Sequence, residues 1–371
     1  AGRSFVAPVD TAQLRATFDE RAKMSAPGRP MPPLGDILRE TNDLLAAHRL
    51  PTCESVEPCE DPDSWNWVVF GCADGVRKYA IKINIRHPDS LYGQRTIANA
   101  VRKASGLPIP VHYCCSQNSN GLALMVMEYM PGEQLRTALP RLEPTLATSV
   151  AEDLGKCLGR FHRTDLLEEN QRLVAIPVDT RALVHGWMAW CTETAARSSV
   201  RFDSHEDWDA VKEGSMSAAQ LLAGRSWLVE QRERLRETLD RYMASARDEP
   251  VEVALMKGDQ DVREFLCQVS GVPHISAMLD WERVLYGDPR YEVMVLCHRL
   301  RLMELDHLWA DMRAGYEKET GRSLCRSAGA MIYLLFRAMG SVVRGPRPDI
   351  SIDIIKDILI HEWTPFDAVS R

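Results

Sequence analysis

The sequence predicts an α+β protein of two lobes, a small antiparallel-sheet lobe followed by a larger, mostly helical one. Three observations carry this. Two β-rich runs flank Asp74-Gly75, a pair that signals a hairpin because glycine accepts positive φ at the turn. A second strand pair, "VHYCCSQ" and "LALMVMEYM", follows one helix later and ends at Pro131-Gly132. Beyond that break the apolar spacing is chiefly that of helices, with only short strand signals at 251–256, 264–270 and 274–280.

The elements follow in order. Residues 1–35, rich in proline and charge, read as a flexible lead-in. From Gly35 onward Ile37, Leu38, Leu44 and Leu45 are spaced for a helix, which "PTCESVEPCEDPDS" ends. Strands are expected at 65–70 and 78–85. In the second, Tyr79, Ile81 and Ile83 share one face and Ala80, Lys82 and Asn84 the other. Taken alone, a mid-strand lysine such as Lys82 reads as a solvated edge residue. A helix over about 90–105 ends at Gly106. Helices are expected around 149–165, through 180–245, and from 290 to about 321. The resulting division is lead-in 1–35, sheet lobe 36–130 and helical lobe 131–371, with a ligand cleft expected between the lobes.

Composition narrows the function. Apolar residues make up 45% and charged ones 26%, an ordinary globular balance. No apolar run is long enough to span a bilayer, and the start lacks the layout of a secretory signal, so a cytoplasmic protein without a membrane partner is expected. The ten cysteines form no CxxC pair and read as reduced, buried thiols rather than zinc ligands. A net charge of −7 speaks against a nucleic-acid partner.

Chemistry concentrates in three places. Lys82 lies mid-strand in the first lobe, Asp259 follows a short strand in the second, and Asp280 ends another, joined to Asp259 through a hairpin that turns at 270–273. Phosphoryl transfer from a nucleotide needs a lysine for the phosphates, a carboxylate for Mg²⁺ and another to orient the attacking hydroxyl. Each aspartate alone would pass for a turn residue.

In order along the chain, "YAIKI", "GLPIPVHY", "LMVMEYMPGEQL", "LGRFHRTD", "KGDQDVREFL" and "MLDWERVLYGDPRYEV" resemble the aminoglycoside phosphotransferase and choline-kinase-like family over roughly 50–320. These are small-molecule kinases with a protein-kinase-like fold. The resemblance implies ATP or GTP and Mg²⁺ as cofactors and a small-molecule hydroxyl acceptor, a metabolite or an aminoglycoside-like antibiotic. It assigns Lys82 to the α/β-phosphates, Asp259 to the acceptor hydroxyl, Asp280 to the metal, and the backbone at Glu128–Met130 to the adenine edge. It makes His162 a structural residue. Ser64 and Asn66 fill the place of the family's glycine-rich loop and are candidate phosphate contacts.

The departures lie near the chemistry. Lys257, which with Asp259 is a candidate catalytic residue, stands where the family has histidine, and Glu264, a candidate metal ligand, stands where it has a metal-binding asparagine. The acidic partner of Lys82 is due near Gln94 or Arg95, neither of which is acidic. Glu264 remains a sound Mg²⁺ ligand. Its charge would meet that of Asp259 at a cost of ~4 kcal/mol at about 4 Å and a dielectric near 20, which Lys257, Arg263 and the metal would offset. Between the two halves of the second lobe, Asp203, Glu206, Asp207 and Trp208 would suit an amine-bearing acceptor, with Glu282 beside the metal segment as a further acceptor contact. The same acidic stretch also reads as a solvated helix start. Two readings stay open: a working O-phosphotransferase, on the strength of Lys82, Asp259 and Asp280, or a kinase-fold protein that binds without transfer or runs another reaction, on the strength of Lys257, Glu264 and Gln94. The oligomeric state is not legible.

Overall fold

The computed structural model describes residues 31–59, 67–84, 89–117, 123–166, 218–249, 253–258, 260–324, 327–344 and 347–361. Most of the lead-in, the turn at 118–121, helix 180–217 and the candidates Ser64, Asn66, Asp203, Glu206, Asp207, Trp208 and Asp259 lie outside them.

Helix α1 (Leu34–Ala47) buries Ile37, Leu44 and Leu45 on one side. These pack on a five-stranded antiparallel sheet of β1 (Ser55–Pro58), β2 (Trp67–Ala73), β3 (Val76–Asn84), β4 (His112–Gln117) and β5 (Ala123–Glu128), in the order β1-β2-β3-β5-β4. Asp74 and Gly75 turn β2 into β3 with φ of 55° and 70°. Tyr79, Ile81 and Ile83 face α1, as their alternation requires. The opposite face meets α2 (Asp89–Ser105), and there Lys82 and Gln94 are both buried. The edge-strand expectation for Lys82 therefore fails. β3 is flanked by β2 and β5, and a strand's neighbours are set by chain that comes much later.

The segment after α2 ties the sheet region to the helical one, since the Met278 amide donates to the Pro108 carbonyl at 2.8 Å. The helical region begins with β6 (Glu133–Gln134), α3 (Leu135–Ala138) and α4 (Pro144–His162), and continues after residue 217 with α5 (Ala218–Glu230) and α6 (Arg232–Ser245). Leu228, Leu235 and Leu239 are all buried even though the expected single helix is divided at Gln231. Two small sheets follow. β7 (Ala254–Met256) pairs with β10 (Leu285–Gly287), and β8 (Phe265–Gln268) pairs with β9 (His274–Met278) and with β6. They bring the chain around 257–264 and the chain around 279–283 to the same place.

The terminal helices are α7 (Arg290–Leu302), α8 (Trp309–Thr320), α9 (Ala328–Arg344) and α10 (Pro348–His361). The continuous helix expected from 290 breaks at Met303–Leu305. Glu304 turns left-handed at φ 60° and the Leu305 amide returns to the Leu300 carbonyl at 2.9 Å, a C-terminal cap made without glycine. Helices α4 and α8 cross at Gly155 and Gly315, where an added Cβ would stand 1.9 Å from the Met312 carbonyl and 2.0 Å from the Glu152 carbonyl. That close crossing sets Tyr316 of α8 against His162 of α4. The seven cysteines at 53, 72, 114, 115, 157, 267 and 297 are buried free thiols, and burial pushes Cys157 up to about 12. No helix among the described residues is long and apolar enough to cross a membrane.

Candidate active site

Lys82 reaches from the middle of β3 across to the second region. Its Nζ donates to Asp280 Oδ1 at 2.8 Å and to Glu282 Oε2 at 3.3 Å, and to Gln94 Oε1 of α2 at 3.3 Å. Asp280 sits in a left-handed conformation, φ 61°, which a residue other than glycine or asparagine adopts only when its surroundings impose it. The surroundings are a buried Trp281, whose Nε1 donates to the Met278 carbonyl and whose ring meets Phe161 edge-on at 5.3 Å. With the tryptophan anchored inward, the carboxylates on either side of it face Lys82. Burial pushes the Asp280 carboxyl upward, but Lys82 and Lys257 overcome this and hold it at about 2. Burial likewise opposes the charge on Lys82, and Asp280 and Glu282 prevail, so its value is raised.

The second centre is the loop that leaves β7. Gly258 has φ 82°, and a Cβ there would lie 2.3 Å from the Arg283 carbonyl, so only glycine fits where this loop passes the chain around 279–283. The Gly258 amide donates to Glu292 Oε1 at 2.6 Å. The other oxygen of Glu292 accepts from His162 Nε2 at 2.9 Å, and His162 Nδ1 pairs with the Tyr316 hydroxyl at 3.1 Å. Three helices thus pin the loop one residue before Asp259, through a buried carboxylate. His162 has the structural place expected of it. Glu292 was missed, and its signal was its place at the head of the apolar run Val293–Cys297, where a buried carboxylate stays only if it is bonded.

After Asp259 the loop closes on itself. Asp261 accepts from the Arg263 amide at 3.1 Å and from Arg299 Nη2 at 2.7 Å. Burial raises its carboxyl and the Arg299 and Arg263 guanidiniums more than reverse that, leaving it at about 2. Lys257, almost fully buried, is ion-paired with Glu264, and the Glu264 carbonyl accepts from the Leu279 amide at 2.7 Å. The candidates therefore fall into one neighbourhood: Lys82, Asp280 and Glu282 in contact, Lys257 and Glu264 paired nearby. Glu282, expected on the acceptor side, stands with the lysine. Glu128 accepts from the Val111 amide through its own side chain at 3.0 Å, and its amide donates to the Val111 carbonyl at 2.8 Å.

Among the described residues no group of three or more His, Cys, Asp or Glu side chains is set to hold a metal ion unaided. The donors that are present suit Mg²⁺, which takes one or two carboxylates and completes its shell with phosphate oxygens and water. Asp280 is ionised and about a third exposed, as such a ligand must be.

The fold has counterparts. A profile of the phosphotransferase enzyme family, APH, matches residues 72–326. The chain belongs to this family. Solved structures share the fold: the GDP and kanamycin complex of APH(2")-IIIa is 12% identical, with a TM-score of 0.58, covering 88% of this chain and all of its own. A putative aminoglycoside phosphotransferase from Ralstonia eutropha JMP134 is 15% identical with a TM-score of 0.56, covering 92% of this chain and 94% of that one. APH(3'')-Id from Streptomyces rimosus, in complex with ADP and streptomycin, is 15% identical with a TM-score of 0.52, covering 84% and 99%. No curated protein sequence matches the chain. Within the phosphotransferase family the sheet lobe and helical lobe of this chain are the expected architecture. The family match spans both lysine centres and the hairpin between them.

Proposed function

We propose that this protein transfers the γ-phosphate of ATP or GTP to a hydroxyl of a small, amine-bearing molecule. The observation that carries the reading is the 2.8 Å contact between Lys82 and Asp280, a cation from the sheet and an ionised carboxylate from the helical region facing each other across one cleft. Phosphates entering there would take Lys82 as their counter-charge. The regular ladder would aim the Val111 amide at the Glu128 carbonyl, but the Glu128 side chain takes that amide, which favours the carbonyl and the Met130 amide as the adenine edge. Asp280 would hold Mg²⁺, which when bound supplies charge neutralisation at the phosphates. Asp259, next in the chain after Gly258, would accept the proton of the acceptor hydroxyl as that oxygen bonds to the γ-phosphorus and the bond from that phosphorus to the departing nucleoside diphosphate breaks.

Lys257 and Glu264 serve this as one unit. The ammonium cancels a carboxylate that would otherwise crowd the triphosphate, and it also lowers the charge felt at Asp280. The same pair favours a second reading, binding without transfer, because Glu264 is engaged by Lys257 instead of standing open to a metal. The acidic stretch with Asp203, Glu206, Asp207 and Trp208 is proposed to receive the amine of the acceptor. Complexes of relatives with kanamycin and streptomycin support aminoglycosides as the first acceptors to try.

The test is calorimetric titration of ATP and GTP with and without Mg²⁺, on the protein and on Asp280→Asn, followed by a screen for ADP or GDP release with aminoglycosides and amino alcohols. Metal-dependent binding that Asp280→Asn abolishes supports the nucleotide site. Binding with no ADP or GDP release for any acceptor supports the second reading. If neither nucleotide binds under any condition, the whole proposal fails.

A further inference from the structure

We propose that the acidic partner of Lys82 has moved from the first-lobe helix to Glu282, and that Gln94 has become neutral because of that move. The inference rests on the reading of Lys82 as the phosphate-binding lysine. Helix α2 still presents a side chain to Lys82 at the place where the family resemblance requires an acid, but that side chain is the Gln94 amide, 3.3 Å away. The missing charge is present from the other direction, as Glu282 Oε2, also at 3.3 Å.

An amide at position 94 does what a carboxylate there cannot. It has an acceptor and a donor, and both are in use: Oε1 accepts from Lys82, while Nε2 makes a long 3.5 Å contact with Asp280 Oδ1. A glutamate in its place would set a third carboxylate around a single ammonium and bring its second oxygen against Asp280, with repulsion and no donor. One ammonium is matched by Asp280 and Glu282 already.

The move changes what holds the lysine. Glu282 follows the buried Trp281, so its backbone is fixed in the helical region and not in α2. Lys82 is therefore clamped across the cleft. With Asp280 holding Mg²⁺, Glu282 would remain to keep the ammonium aimed at the phosphates. This makes Glu282 and Gln94 positioning residues for Lys82.

The test is the rate at which Lys82 is acetylated by an amine-reactive reagent in the full chain, read by peptide mass spectrometry against the exposed Lys78. An ammonium kept in a hydrogen-bonded ion pair reacts slowly, and losing one such bond is worth about tenfold. Asp280→Asn leaves Glu282 in place and is expected to label within about threefold of the parent. Adding Glu282→Gln is expected to raise the Lys82 rate about tenfold, and adding Gln94→Glu to that pair to bring it back toward the parent. Should the triple variant melt below the assay temperature, Glu282→Gln and Glu282→Gln/Gln94→Glu with Asp280 intact carry the same comparison at a ratio of about threefold. An unchanged rate on adding Glu282→Gln, or no fall on adding Gln94→Glu, overturns the relocation. Excess ATP on the unmutated protein separates the two readings: protection of Lys82 supports the phosphate role, and its absence sinks that role whatever the variants show.

Discussion

Two lysines meet carboxylates in this molecule, and they are held in opposite ways. Lys82 is buried, but its carboxylate partners are not: the Asp280 side chain is 37% exposed and that of Glu282 23%. Lys257 and Glu264 are paired more deeply, with side-chain exposures of 1% and 15%. Water and ligands reach the first set, so phosphates and a metal can exchange with its members at modest cost. The second set is closed, and the Glu264 charge without Lys257 would have to stay in a poor solvent. The difference separates a site from its foundation. It also explains why the departures at Lys257 and Glu264 come together, since one without the other is worse than neither.

The largest expected effect breaks the closed pair. Lys257→Met strands the Glu264 carboxylate and is expected to cost about 3 kcal/mol of folding free energy. The double change Lys257→Met/Glu264→Gln should recover all but ~1 kcal/mol, because the remaining groups need no counter-charge. Urea unfolding of the three proteins measures this. A double variant as unstable as the single would mean that Lys257 matters for its packing and not for its charge.

Acid asks whether either centre is the weak point. The Asp280 and Asp261 carboxyls are both held down at about 2 by the cations beside them, so these two stay ionised well below pH 4. Buried histidines give way first. Desolvation holds His112 in β4 down at about 4 against an ordinary 6.5, with Lys82 and Arg95 also lowering it. The unfolded chain binds that proton more readily, so the stabilising contribution is whole above pH 6.5 and is lost as pH falls from 6.5 towards 4, up to about 3 kcal/mol. His298 in α7, buried beside Arg337 and Arg299, is also held low and adds to the slope. Unfolding free energies at pH 7, 5.5 and 4.5 should fall steadily, and His112→Asn should flatten that fall. An equal slope in the variant would assign the loss elsewhere.

Much of this was legible in the sequence. Asp74-Gly75 named its hairpin, and the alternation of Tyr79, Ile81 and Ile83 named the face that packs on α1. Local chemistry sets both, so local sequence reports both. The burial of Lys82 was not legible from its own strand, because the flanking strand β5 is distant in the chain. The break at Met303–Leu305 had no proline or glycine to announce it, since Glu304 itself takes the left-handed cap. In the site, the sequence showed where an acid was missing at Gln94, but not that Glu282 stands on the other side of the same ammonium. Two residues that far apart meet only through the fold. Glu292 was hidden for the same reason, its partners Gly258 and His162 lying on different elements.

The smallest effect on stability should come from the residue with the largest effect on ligand binding. Asp280→Asn keeps the shape of the side chain and suits the left-handed backbone at φ 61°, because asparagine adopts that conformation more readily than most residues. It removes one charge from a partly exposed set in which Lys82 retains Glu282 at 3.3 Å. Folding free energy is expected to change by less than ~1 kcal/mol, the scale of accessible ion pairs. The rise in melting temperature on adding ATP with Mg²⁺ should disappear in the same variant. The pairing of these two results is what the comparison requires: if Asp280→Asn destabilised the protein as much as Lys257→Met, the cleft lysine would be as much foundation as site, and the distinction between the two centres would be lost.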